Sequence, residues 1–346
     1  MDDSPPKPQR RQRYAGRNPR SFGDKYKEHQ PETYPEDIAK ILQNGKTPAG
    51  MHRPIMVREI LTALALSPGD VVVDCTLGYG GHACELLAAV KPGGRLLGVD
   101  ADPIELPKTE ARLRAQGATD TSIVLRRMNF SGVSQFLAVE APDGVDALMA
   151  DLGVSSMQLD DPLRGFSFKV DGPLDMRMNP DRGLSAFDLL STLDPTQLQT
   201  ILTDNSDEPN AEKIAKTILI AHSKVPLETT LALVSVIRSA LHGQTKSEMD
   251  LAIRRVFQSL RIAVNDEFRS LDQFLKQLPF YMKKGGRVTI LTFHSGEDRR
   301  VKASFKQGFQ HGLYSSITQD VIRPSVLELK ANSRSSSAKL RVAIRA

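Results

Sequence analysis

Residues 71–87 read VVVDCTLGYGGHACELL: a short apolar strand, a glycine-rich turn and the start of a helix. Gly78, Gly80 and Gly81 let the backbone turn tightly and approach a ligand closely. The helix that follows offers unpaired N–H groups to that ligand. Such a turn alone is weak evidence of a site, and the next strand strengthens it. RLLGVD, residues 95–100, ends on Asp100, 20 residues after Gly80. There, α/β nucleotide folds place an acid against the ribose hydroxyls. The competing reading of Asp100 is a helix cap, since DADP can open the next helix. Together the two elements favour an adenosine-containing cofactor. Their spacing fits a nicotinamide dinucleotide and S-adenosylmethionine equally. The dinucleotide fingerprint needs G-x-G-x-x-G to seat a pyrophosphate, whereas this chain has GYGGHA with no third glycine. That leans toward S-adenosylmethionine. His82 is then either an ordinary residue of the first helical turn or a contact for the methionine carboxylate.

Working outward, the alternation continues. IMVREILTALAL (55–66) has helical periodicity, DPIELPKTEARLRAQG (102–117) reads as a helix, and SIVLRRM (122–128) and GVDALMAD (144–151) read as strands. Strands alternating with helices imply a doubly wound, mostly parallel sheet. The alternation then stops: AFDLLSTLDPTQLQTILTD, PNAEKIAKTILIAH and TTLALVSVIRSALHG read as helices. Phe257, Leu260, Val264, Phe268, Leu271, Leu275 and Leu278 recur at steps of three and four, as one face of a long helix. GGRVTILTFHS (285–295) supplies a further strand. The expected organisation is an α/β domain formed by 51–163 and 256–346, with a helical insert at 164–255. Residues 1–50, with Lys7, Arg10, Arg11, Arg13, Arg17 and Arg20 uninterrupted by an acid, read as a basic extension. It is too poor in aliphatics to fold; it is either a solvated tail, an RNA-contacting arm or a transit peptide.

Composition is that of a globular protein: 346 residues, 40% hydrophobic, 25% charged, net charge +5. A mildly basic balance suits a polyanionic partner without requiring one. Cys75 and Cys84 match no zinc or redox spacing, so a reducing, cytoplasmic compartment is expected and no disulfide scaffold. No apolar run reaches the roughly 18 residues of a membrane helix, and the N-terminus has no apolar signal core.

Asp151 closes the strand GVDALMAD at the C-terminal edge of the sheet, where ligands of such folds bind. A carboxylate there suits methylation of an exocyclic base amine. The lone pair of such an amine is delocalised into the ring, and acceptors on its protons localise it and aim it at the methyl group. Orientation of this kind supplies part of the roughly 7–11 kcal/mol available to ideal positioning. Ser155 and Ser156 either orient the base or cap a turn. Phe166 and Phe168 fit base stacking or core packing, and Met176 and Met178 fit packing of the insert. HSGED (294–298) does not make a hydrolase triad, whose members come from separate elements, and His294 with one acid is too few ligands for a metal; His294 is expected to line the base pocket.

HRPIMVREIL (52–61), DCTLGYGGHA (74–83), GVDADP (98–103), DLGVSSMQLDDPLRGFSFKVDGPLDMRMNP (151–180), SLRIAVNDEF (259–268), TFHSGEDRRVK (292–302) and NSRSSSAKLRVA (332–343) stand in this order. Together they resemble the bacterial ribosomal RNA small subunit methyltransferase H family over residues 52–346. The resemblance implies a Rossmann-like class I methyltransferase fold with an inserted helical domain. It implies S-adenosylmethionine-dependent methylation of N4 of a decoding-centre cytidine, with 16S rRNA or the small ribosomal subunit as partner. It places Gly80, Gly81, His82, Asp100, Phe130, Asp151 and Gln158 at the cofactor; Asp151, Ser155, Ser156 and His294 are the candidates for catalysis, with no metal. The chain departs from the family at HSGED, where the pattern is HSLED, and in the insert. No sequence feature specifies an oligomeric state. Two rival classes remain: a dinucleotide oxidoreductase, sharing the glycine turn and Asp100, and a non-catalytic rRNA-binding assembly factor.

Overall fold

Apolar strands and helices alternate through the first part of the chain. The structure, a computed structural model, describes residues 54–346, so the basic extension at 1–50 lies outside the described residues. The order is α1 (Val57–Leu64), β1 (Val71–Asp74), α2 (Gly81–Val90), β2 (Arg95–Asp100), α3 (Leu106–Ala115), β3 (Ile123–Arg127), α4 (Val133–Glu140) and β4 (Val145–Asp151). A short helix α5 (Ser156–Asp160) leads into α6 (Ala186–Thr192), α7 (Pro195–Ser206), α8 (Ala211–Lys224), α9 (Thr230–Ala240), α10 (Lys246–Asn265) and α11 (Glu267–Gln277). The sheet resumes with β5 (Met282–Thr292), followed by α12 (Ser295–Gln310), β6 (Tyr314–Ile317), α13 (Val326–Ala331) and β7 (Lys339–Arg345).

The seven strands lie in the order β3-β2-β1-β4-β5-β7-β6. All described pairings are parallel except those of β7, which runs antiparallel to both β5 and β6. Each central strand is apolar on both faces, as a parallel sheet covered by helices requires. Val73, Leu97, Leu148, Ala150, Val288 and Ile290 pack on one side with α4, α11 and α12. Val72, Leu96, Ala147, Met149 and Leu291 pack on the other with α1, α2 and α3. The strand order reverses between β1 and β4, which opens a crevice at their C-terminal ends.

A third apolar cluster runs from Phe166 to Leu260 and gathers α6 to α10. These helices form a helical body within the single compact unit 54–346, and Phe166, Phe168, Met176 and Met178 belong to its apolar cluster. Phe168 meets Phe257 edge-on at 5.2 Å. These aromatics are therefore packing residues rather than free stacking platforms.

Three expectations need correction. The long helix through Phe257 and Leu278 is two helices, because Asp266 adopts a left-handed backbone (φ 49) between α10 and α11. The segment at 186–204 is also two helices: Asp194 caps α7 through the Gln197 N–H, and Pro195 stands in its first turn. Strands β6 and β7 were not read from the sequence; β6 has four residues and lies at the sheet edge, and β7 runs antiparallel to its neighbours, outside the alternation.

Candidate active site

Three carboxylates stand where strands end at the crevice: Asp74 on β1, Asp100 on β2 and Asp151 on β4. Sequence reasoning singled out Asp100 and Asp151 and passed over Asp74. The signal was present, an acid ending the first strand directly before the glycine turn. Asp74 is fully buried; its Oδ1 accepts the Thr76 N–H at 3.0 Å, and its Oδ2 has no hydrogen-bond partner. Asp100 is anchored by backbone, accepting the Gly78 N–H at 2.6 Å and the Asp102 N–H at 2.7 Å on different oxygens. Asp151 is held by its own N–H, which donates to Thr76 Oγ1 at 2.7 Å, and its Oδ1 is buried without a partner.

Burial first, and repulsion from neighbouring carboxylates next, push all three toward the neutral acid. Desolvation, then Asp74 and Glu297, raise Asp151 to about 8. Desolvation raises Asp74 to about 7, with Asp100 adding to it and hydrogen bonds from Thr76 opposing. Asp100 is raised to about 6, mainly by desolvation, against the two N–H groups that stabilise its charge. Among the described residues no Lys or Arg forms an ion pair with any of the three. Such a cluster, with two oxygens lacking partners, is built to receive positive charge.

The glycine turn packs as its sequence demands. Gly80 has φ 86, and a Cβ there would lie 2.7 Å from Thr109 Cγ2. Gly80→Ala should therefore lower stability by about 1–3 kcal/mol, the usual cost of a strained left-handed residue, measurable as a lower urea midpoint. Gly81 opens α2 beneath the ring of Pro54, 3.1 Å from where a Cβ would sit. His82 is buried, its Nε2 2.9 Å from the Ile55 carbonyl and its Nδ1 3.6 Å from Asp151 Oδ2. Desolvation lowers its pKa to about 4, so it is neutral and donates through Nε2 to that carbonyl. Both ring nitrogens thus face protein groups, and the lone pair on Nδ1 is turned toward Asp151.

The loop after Asp151 is organised by a capping box. Ser155 Oγ accepts the Gln158 N–H at 3.2 Å, and Gln158 Oε1 accepts the Ser155 N–H at 2.8 Å. Gln158 Nε2 donates to Asp102 Oδ2 at 2.8 Å. Of the two readings of Ser155, capping is what the geometry provides, and Ser156 follows it as the first residue of α5. Phe130, just beyond β3, packs edge-on against Phe274 with centroids 5.3 Å apart.

On the far side of Asp151, His294 caps α12. Its Nε2 lies 3.1 Å from Glu297 Oε1, an ion-pair distance without hydrogen-bond alignment. Burial opposes the charge of Glu297, yet His294, Arg261 and the Phe293 N–H together hold its pKa below the ordinary carboxylate range. Arg261 forms a double hydrogen bond to Glu267 at 2.8 and 2.9 Å. Glu267, His294 and Glu297 bring ligand atoms within 4.8 Å of one another, one acid more than the sequence had suggested. Arg261 already supplies positive charge to that group, which makes it an ion-pair network beside Asp151.

Gly296, where the family pattern has Leu, has a structural reason. A Cβ there would lie 2.5 Å from Cζ of Phe268, whose ring fills that volume under the Arg300 guanidinium, 3.8 Å from its centroid. Gly296→Leu should overpack this corner and cost about 1–3 kcal/mol. Adding Phe268→Leu should return most of that loss, measured by urea unfolding of all four members of the cycle.

The ends of β1, β2 and β4 thus offer a cationic ligand three carboxylates without Lys or Arg partners among the described residues. A model of the MraW methylase family matches residues 49–346. The chain is 47% identical to "Ribosomal RNA small subunit methyltransferase H 2" of Alkaliphilus metalliredigens, over 100% of both chains. It is 47% identical to "Ribosomal RNA small subunit methyltransferase H 1" of Lachnoclostridium phytofermentans, over 100% of this chain and 95% of that one. Identity to "Ribosomal RNA small subunit methyltransferase H 1" of Agathobacter rectalis is 44%, over 97% of each.

Proposed function

The chain belongs to the MraW methylase family, and we propose that it transfers a methyl group from S-adenosylmethionine to N4 of a decoding-centre cytidine in 16S rRNA. The observation that carries this reading is the trio of strand-end carboxylates with no Lys or Arg partner among the described residues. When bound, S-adenosylmethionine supplies an electrophilic methyl group on a positively charged sulfur. Asp100, already oriented by two backbone N–H groups, keeps lone pairs for the ribose hydroxyls. Gly78, Gly80 and Gly81 let the backbone lie close beside it. Asp74 and Asp151 balance the ligand's positive charge.

Asp151 has a second task. Its carboxylate is partly exposed and can accept a hydrogen bond from the base amine. That bond localises the nitrogen lone pair as it attacks, and the carboxylate takes the proton that nitrogen must lose. The Thr76 hydroxyl, accepting the Asp151 N–H, fixes the backbone that carries this carboxylate. His294 and Glu297 flank this acid and line the base side. No helix of the described residues is long and apolar enough to cross a membrane, which accords with work on ribosomal particles in the cytoplasm. Arg126 and Arg127, exposed at the end of β3, and Arg182 in the helical segment offer charge to an RNA backbone.

Tritiated methyl transfer to small subunits from a strain lacking this gene tests the reading. Label on N4 of one cytidine is expected. Label at another atom or nucleotide would keep the methyltransferase and discard the target; no transfer at all would favour a binding factor.

A further inference from the structure

Asp102 and Arg164 are both buried, with 2% and 9% of their surfaces exposed. Arg164 Nη1 donates to Asp102 Oδ2 at 2.9 Å. Its Nη2 donates to the carbonyls of Arg177 (3.2 Å) and Met178 (2.8 Å). Asp102 in turn gives its N–H to Asp100 Oδ1 at 2.7 Å, and its Oδ2 also accepts from Gln158. At the other end, Met178 donates its N–H to Asn265 Oδ1 at 2.7 Å, and Asn265 Nδ2 donates to the Met176 carbonyl at 2.8 Å. Met176 sits at φ 63 inside the helical body's apolar core. One unbroken run of hydrogen bonds therefore joins the acid at the end of β2 to the last residue of α10, and Arg164 is its only link between Asp102 and the 176–178 turn in that run.

We propose that Arg164 is a positioning residue that makes cofactor binding and RNA binding depend on each other. This rests on the reading above, that Asp100 holds the donor's ribose and the helical segment receives the RNA. A planar guanidinium donates in two directions at once, to the Asp102 carboxylate and to the paired carbonyls. A shift of the 176–178 turn on RNA binding must move the guanidinium, and with it Asp102 and the N–H that orients Asp100. Linkage makes the effect reciprocal: RNA tightens the cofactor by the factor by which the cofactor tightens RNA.

The discriminating variant is Arg164→Lys. An ammonium can still pair with Asp102 but cannot also span to both carbonyls. The probe is radiolabelled S-adenosylhomocysteine, which cannot react, with small subunits from a strain lacking this gene. Its dissociation constant is measured with and without subunits. Wild type is expected to show coupling of at least about fivefold, the lower end of typical allosteric factors. Arg164→Lys should bind S-adenosylhomocysteine alone within about threefold of wild type, while the coupling falls toward one. A buttress without coupling would instead weaken both measurements by the same factor, which overturns the proposal, as does a wild-type factor of one. If Arg164→Lys unfolds below the assay temperature, Asn265→Ala cuts the same run from the RNA side and is held to the same criterion. Normal affinity of Asp100→Ala for S-adenosylhomocysteine would instead sink the underlying site assignment.

Discussion

Asp151→Asn should slow single-turnover methylation of small subunits by about 10²–10⁴-fold, the range of positioned acid–base groups, and should weaken cofactor binding as well. The substitution keeps the side chain's shape and removes its charge. The pH profile separates the two effects. Free Asp151 is raised from the ordinary 3.8 to about 8, by burial first and by Asp74 and Glu297 next. It can take the amine's proton only when ionised, so the wild-type rate should climb with pH below its pKa and level off above. The bound sulfonium, being positive, moves that midpoint below 8. Asp151→Asn should be slow and nearly flat over the same interval. The stability of the free protein runs the opposite way. Its folded state holds a proton that the unfolded chain has already released, so Asp151 costs stability as pH rises from about 4 to about 8. Asp151→Asn should thus flatten that decline in urea midpoints. A normal maximal rate with normal cofactor affinity would make Asp151 structural.

Asp100→Ala should reduce cofactor affinity at least about tenfold, with each charge-assisted hydrogen bond to a ribose hydroxyl contributing roughly 1.5–3 kcal/mol. Alanine also strips the acceptor from the Gly78 and Asp102 N–H groups, which loosens the turn. Asp100→Asn retains one acceptor oxygen and should fall between wild type and Ala. Calorimetric titration with S-adenosylhomocysteine reads both, and thermal unfolding verifies the fold. Unchanged affinity in both variants would remove Asp100 from the site.

The N-terminal half of the sheet was legible because its signals are local. VVVDC, RLLGVD and VDALMAD are apolar runs bounded by turns, and a doubly wound sheet puts the last residue of each at the ligand edge. Asp100 and Asp151 followed from that rule, and Asp74 obeys it too. The helix break at Asp266 was not legible. Phe257, Leu260, Val264, Phe268 and Leu271 keep three- and four-residue steps straight across it, because apolar spacing records which face is buried and says nothing of one left-handed residue between two helices. The S-x-x-Q capping box at Ser155 was open to reading, since its partners are three residues apart.

By itself, then, the sequence determined the order of strands β1 to β5, the glycine turn and the acids that end β2 and β4, all consequences of neighbours along the chain. Only the tertiary structure decided which acids have partners. Asp102 meets Arg164 across 62 residues and Arg334 meets Asp160 across 174, while Asp74 and Asp151 each keep an oxygen without one. A carboxylate's charge, pKa and use depend on the groups brought to it through space, and no local pattern records them. Gly296 makes the same point through sterics: its lost side chain is explained by Phe268, which packing alone sets against it.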